Sequence, residues 1–83
     1  MDNKYVEAIR EINPDALLVD DFDDCITGIV QKFEGFVLMY SEKKIIEKLS
    51  EEMPEDDAWD YYSFNIVGAY MGEYSPVFQT EIV

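Results

Sequence analysis

Eighty-three residues, 48% apolar and 14% aromatic, allow a single domain over residues 1–83 with one modest core, and they argue against disorder. Nineteen Asp and Glu against six Lys and Arg give a net charge of −13. That charge excludes direct binding to nucleic acid or to an anionic membrane, because phosphate contact needs clustered cations and only Lys43 and Lys44 are adjacent.

With no histidine, the commonest general base and metal ligand is missing. One cysteine, Cys25, forms neither an internal disulfide nor a thiolate zinc cluster. No apolar run approaches the roughly 18 residues of a membrane span. The opening MDNKYVEAIR has neither the charged lead nor the apolar middle of a signal peptide, so a cytoplasmic protein is expected.

Residues 2–12, DNKYVEAIREI, place Tyr5, Ala8, Ile9 and Ile12 at helical spacing, with Asp2 or Asn3 as cap. Asn13-Pro14-Asp15 ends this helix. Residues 16–19 form a short apolar run that reads equally as a strand or a tight connection. From Phe22, apolar residues at 22, 25, 26, 29, 30 and 33 follow an amphipathic helical stripe that stops at Glu34-Gly35.

FVLMY, residues 36–40, is continuously apolar and reads as a buried strand. Ser41 is a cap for EKKIIEKLSEEM, whose Ile45, Ile46, Leu49 and Met53 make a core-facing stripe. Pro54 breaks that helix and opens the next, with Glu55, Asp56 and Asp57 at the positive end of its dipole. The new helix is expected to run to Gly72. Being apolar nearly all round, it should lie at the centre of the fold, with Tyr62 and Tyr70 in the core, Asn65 as a buried amide and Gly68 at a close helix contact. Tyr74-Ser75-Pro76 then turns the chain into VFQTEIV, an edge strand pairing with FVLMY.

Two acidic patches carry the functional signal. LLVDDFDDCI holds Asp20, Asp21, Asp23 and Asp24. A calcium loop needs alternate carboxylates and a glycine at the sixth position, and counting from Asp21 puts Ile26 there. Helix-start chemistry accounts for one or two of these aspartates, which leaves the others to water or to a partner. The second patch holds Glu51, Glu52, Glu55, Asp56, Asp57 and Asp60. At about 1.5 Å per helical residue it spans on the order of 14 Å, over which duplex DNA carries about 8 charges. Trp59 and Tyr61 stand among these acids, a mixture suited to a protein interface. No nucleophile and base can be paired, so no catalytic residue is assigned.

The segments FDDCITGI, VLMYSEKKIIEKL and EDDAWDYYSFNIVGAYMGEYSPVF resemble a group of small acidic proteins of tailed bacteriophages. In that group a Phe-Asp-Asp-x-Ile-x-Gly-Ile segment precedes a strand ending in Tyr, and a Phe-Asn-x-x-Gly-Ala-Tyr-x-Gly-Glu helix leads into a Pro-x-Phe strand. The matching positions include Phe22, Asp23, Asp24, Gly28, Tyr40, Phe64, Asn65, Gly68, Gly72, Glu73, Pro76 and Phe78. The resemblance covers about residues 16–78 and implies a setting, an infected bacterial cytoplasm, in which small acidic proteins inhibit restriction or CRISPR effectors.

The expected fold is therefore α+β, with about four helices packed on a small two- or three-stranded antiparallel sheet. The expected function is a non-enzymatic inhibitor, of anti-CRISPR or anti-restriction type, that imitates nucleic acid. Its partner is a basic host protein, a nuclease or other nucleic-acid-binding protein, met through Asp20, Asp21, Asp23, Asp24, Glu51, Glu52, Glu55, Asp56, Asp57, Trp59, Asp60, Tyr61 and Glu73, with no cofactor or metal. The alternative is a structural or regulatory phage module that forms a homo-oligomer such as a homodimer, its charge serving solubility only.

Overall fold

Five consecutive apolar residues in FVLMY leave that strand no polar face for water, so it must be covered on both sides. The computed structural model, which describes residues 3–69 and 72–82, places it in the middle of a sheet. The sheet consists of β1 (Ile26–Lys32), β2 (Gly35–Ser41) and β3 (Val77–Gln79), in that order. Val37, Leu38 and Tyr40 of β2 are wholly buried. Among the described residues three α-helices accompany the sheet: α1 (Lys4–Ile12), α2 (Glu42–Leu49) and α3 (Glu55–Tyr61). The fold is α+β.

The expected antiparallel sheet is a mixed one. β1 and β2 form an antiparallel hairpin, whereas β3 runs parallel to β2, with Tyr40 opposite Phe78. The reason is the connection: a parallel neighbour needs a crossover of a dozen or more residues, and residues 42–76 supply one containing α2 and α3. The strand expected over residues 77–83 pairs with β2 as anticipated but ends at Gln79. Val83 lies outside the described residues.

A fourth α-helix, expected from Phe22 to Phe33, does not form. Asp23–Cys25 makes a single 3₁₀ turn and the chain then enters β1. Ile26, Thr27, Ile29 and Val30 are β-branched and favour extended backbone, while Gly28 weakens a helix. The apolar stripe is not one face: Cys25 and Ile26 are buried, but Phe33 stands fully exposed at the hairpin tip. A bulge between Ile26 and Gly28 shifts the inside-outside alternation, so β1 carries no clean period of two. Gly35, expected past a helix end, instead leaves the hairpin turn at φ 147°, a conformation open to glycine.

The caps follow the sequence closely. The Asn3 side chain accepts hydrogen bonds from the Tyr5 and Val6 amides at 2.9 and 3.3 Å, and Ser41 Oγ accepts from the Lys44 amide at 3.2 Å. Asn3 Nδ2 also donates to the Asp23 carbonyl and Asn13 Nδ2 to the Phe36 carbonyl, each at 2.8 Å, tying the start of α1 to the 3₁₀ turn and its end to β2. Val6 and Ile9 of α1 are buried while Ile12 is half exposed. Ile45, Ile46 and Leu49 of α2 are buried, with Met53 packed beside them.

α3 continues through a π-helical segment, Tyr62–Val67. The expectation that this helix is central fails. Ala58, Tyr62 and Ile66, spaced by four, are its buried residues, whereas Trp59, Tyr61, Phe64 and Val67 are exposed. The covering elements that an all-round apolar helix requires are used on β2 instead. Asn65 is exposed, and the Gly68 amide closes the π turn onto the Ser63 carbonyl at 3.1 Å rather than marking a contact with another helix. Tyr70 and Met71 lie outside the described residues.

A run of rings joins these layers. Tyr40 lies 6.0 Å from Phe78, Phe78 lies 5.7 Å from Tyr62, and Tyr62 lies 5.9 Å from Trp59. The Tyr40 hydroxyl accepts a 2.8 Å hydrogen bond from the Val19 amide, which fixes residues 16–19 as a tight connection rather than a strand. Tyr40→Phe leaves that buried amide without its acceptor, a loss of about 1–3 kcal/mol. Urea unfolding followed by circular dichroism should show the shift, with no change in the native spectrum.

Candidate functional site

LLVDDFDDCI is built as two successive turns. The Phe22 amide bonds to the Val19 carbonyl at 3.3 Å, with Asp21 between them at φ 72°, and the Cys25 amide bonds to the Phe22 carbonyl at 2.9 Å. Aspartate is among the few non-glycine residues that adopt the left-handed conformation at low cost. The turns send Cys25 and Ile26 into the core and leave all four aspartates exposed. None caps an α-helix, because the helix they were expected to start is absent. The 3₁₀ turn opens on Phe22 with no side-chain cap.

The side chain that organises this stretch is Lys48 of α2. Its ammonium lies 3.1 Å from Asp24 Oδ1, donates to the Asp21 carbonyl, and sits 5.3 Å from the centre of the Phe22 ring. The Lys48 hydrogen bond lowers the Asp24 pKa, against a smaller opposing effect of burial, and the same bond raises that of Lys48. Burial, reinforced by the Asp24 charge, pushes the Cys25 thiol up to about 11 and away from thiolate chemistry.

The two acidic patches meet around Lys48. A shallow groove of about 250 Å³ between the 3₁₀ turn and α2 is lined by Asp24, Cys25, Lys44, Glu47, Lys48 and Glu51. A larger one, about 500 Å³, is lined by the charged Asp21, Lys48, Glu51 and Glu52 and by Phe22, Leu49, Met53 and Tyr61. The second patch is not one straight helical run. α2 ends at Leu49, Glu51 and Glu52 follow in a turn bonded to the Lys48 and Leu49 carbonyls, and Pro54 starts α3.

No protein-family model, no curated protein and no solved structure matches this chain. Function must be read from the surface itself.

Of the partner-binding residues expected from sequence, Asp21, Asp24, Glu51, Glu52 and Tyr61 meet around Lys48. Asp20 and Asp23 are exposed on the same turns but line neither groove. Glu55, Asp56, Asp57, Trp59 and Asp60 are exposed along α3, also outside both grooves. Glu73 is exposed, and its carbonyl accepts from Lys32 Nζ at 3.2 Å. Among the described residues, no group of three or more His, Cys, Asp or Glu is placed to hold a metal ion, and beside Asp24 an ammonium takes the place that a cation would occupy. Sequence reading missed Lys48, Phe22 and Met53 as site residues. Nothing local marks Lys48, because its partners lie 24 and 27 positions away.

Asp24 has a folded pKa below its unfolded value of about 3.9. The pair therefore stabilises the fold above that value, and the contribution is lost as pH falls through the folded pKa. With the Asp24 side chain 69% exposed, solvent screening holds the effect to roughly a few tenths of a kcal/mol. An NMR titration of the Asp24 carboxyl should show a depressed midpoint that rises toward the ordinary value in Lys48→Met.

Proposed function

We propose that this chain is a non-enzymatic, acidic phage protein that binds a basic host protein and excludes nucleic acid from it, as an anti-CRISPR or anti-restriction inhibitor would. The observation that carries the reading is the convergence of Asp21, Asp24, Glu51 and Glu52 around Lys48, in a chain of net charge −13 that exposes further acids along α3. Self-repulsion makes such clustering unfavourable unless a cationic surface relieves it. Of these carboxylates Lys48 engages that of Asp24, in the single ion pair among the described residues. A buried thiol with its pKa pushed up to about 11 disfavours Cys25 as a nucleophile and supports the non-enzymatic reading.

The binding is electrostatic, so it should fall steeply between about 0.1 and 1 M salt, where the Debye length drops from ~10 to ~3 Å. Affinity capture from a bacterial lysate, eluted in a salt gradient, should recover nucleic-acid-binding proteins. The triple variant Asp56→Lys, Asp57→Lys, Asp60→Lys should recover none while keeping its native circular dichroism. Capture that survives high salt contradicts the reading.

A second reading is favoured by the exposed apolar side chains of the α3 and π-helical segment. Trp59 and Tyr61 are 40% and 44% exposed, and Phe64 is 78% exposed. Exposed aromatics along one element suit a homo-oligomeric interface. Under this reading, sedimentation at increasing concentration shows a dimer, and Phe64→Ser returns it to monomer. Under the inhibitor reading the free chain stays monomeric throughout.

A further inference from the structure

The turn at residues 20–24 already holds one cation. The Lys48 ammonium is met by a carboxylate, a backbone carbonyl and an aromatic ring, those of Asp24, Asp21 and Phe22. These are contacts by which proteins hold lysine and arginine. The groove of about 500 Å³, which Lys48, Asp21 and Phe22 also line, adds further groups of the same kinds, the carboxylates of Glu51 and Glu52 and the side chains of Met53 and Tyr61.

Carboxylates alone attract any cation and fix none in a pose. The apolar lining of this groove adds a constraint, because it is covered best by a long side chain whose methylenes lie on Met53 while its charged head meets a carboxylate. A guanidinium fits better than an ammonium. It is planar, stacks on a tyrosine ring, and donates to two carboxylate oxygens at once. We propose that the groove is a socket for an arginine side chain of the basic partner. This rests on the acidic-surface reading above and adds to it a location and a preference for arginine over lysine.

Hexa-arginine and hexa-lysine peptides carry equal formal charge, so an undifferentiated acidic surface binds them alike. In NMR titrations of the full chain at low salt, hexa-arginine should bind about 2- to 5-fold more tightly, the range expected for an exposed cation–π contact. Its shifts should concentrate at Glu52, Met53 and Tyr61. Tyr61→Ala should abolish the preference without changing hexa-lysine affinity, and unchanged circular dichroism establishes that the exposed site tolerates the change. Glu52→Gln, which keeps the ring, should weaken both peptides. Equal affinities, or a preference that survives Tyr61→Ala, overturn the socket. If charge reversal at Asp56, Asp57 and Asp60 still removes binding of both peptides in that case, the acidic-surface reading stands without it. Failure of both peptides to bind overturns the two together.

Discussion

Tyr40 is the side chain on which the fold converges. It lies wholly buried on the middle strand, its hydroxyl holds the Val19 amide, and its ring faces Phe78 of β3. A buried hydroxyl must be partnered, and the bond it accepts from the Val19 amide fixes the connection that delivers the chain to the aspartate turns. Its ring meanwhile begins the aromatic run through Phe78 and Tyr62 that seats α3. The position of both acidic elements thus depends on one residue that carries no charge.

The acidic surface is a consequence of that arrangement. The 3₁₀ turn and the end of α2 are brought side by side by the packing of Cys25, Ile45, Ile46 and Leu49, and their carboxylates come with them. Lys48 relieves part of the crowding through Asp24, but both groups are substantially exposed, and a surface pair of this kind contributes little to stability. The fold is held by apolar burial, and the charge is carried at some cost. A basic partner would turn that cost into affinity and a fast, salt-dependent encounter.

The parts of the fold that were legible in the sequence are those in which local chemistry and tertiary environment agree. Asn3 and Ser41 cap α1 and α2 because their side-chain oxygens satisfy nearby amides whatever lies beyond. FVLMY is a buried strand because no other element hides five apolar residues in a row. Residues 22–33 misled because their apolar positions fit a helical period while β-branching and a bulge favoured a strand. Trp59, Tyr61 and Phe64 suggested a central helix, yet the core had only one side of that helix to cover. The direction of β3 was hidden because it depends on the path of the intervening helices.

By itself the sequence determined an α+β domain, the caps Asn3 and Ser41, the breaks at Asn13-Pro14 and Pro54, the pairing of β2 with β3 and a surface that must be acidic, since each follows from local propensity or from charge count. Only the tertiary structure decided that the sheet is mixed, that the four aspartates lie in turns rather than at a helix start, and that Asp21, Asp24, Glu51, Glu52 and Tyr61 gather around Lys48. The contacts of Lys48 with Asp21 and Asp24 join residues more than twenty positions apart. They are set by which apolar faces bury together, and no window of sequence records that choice.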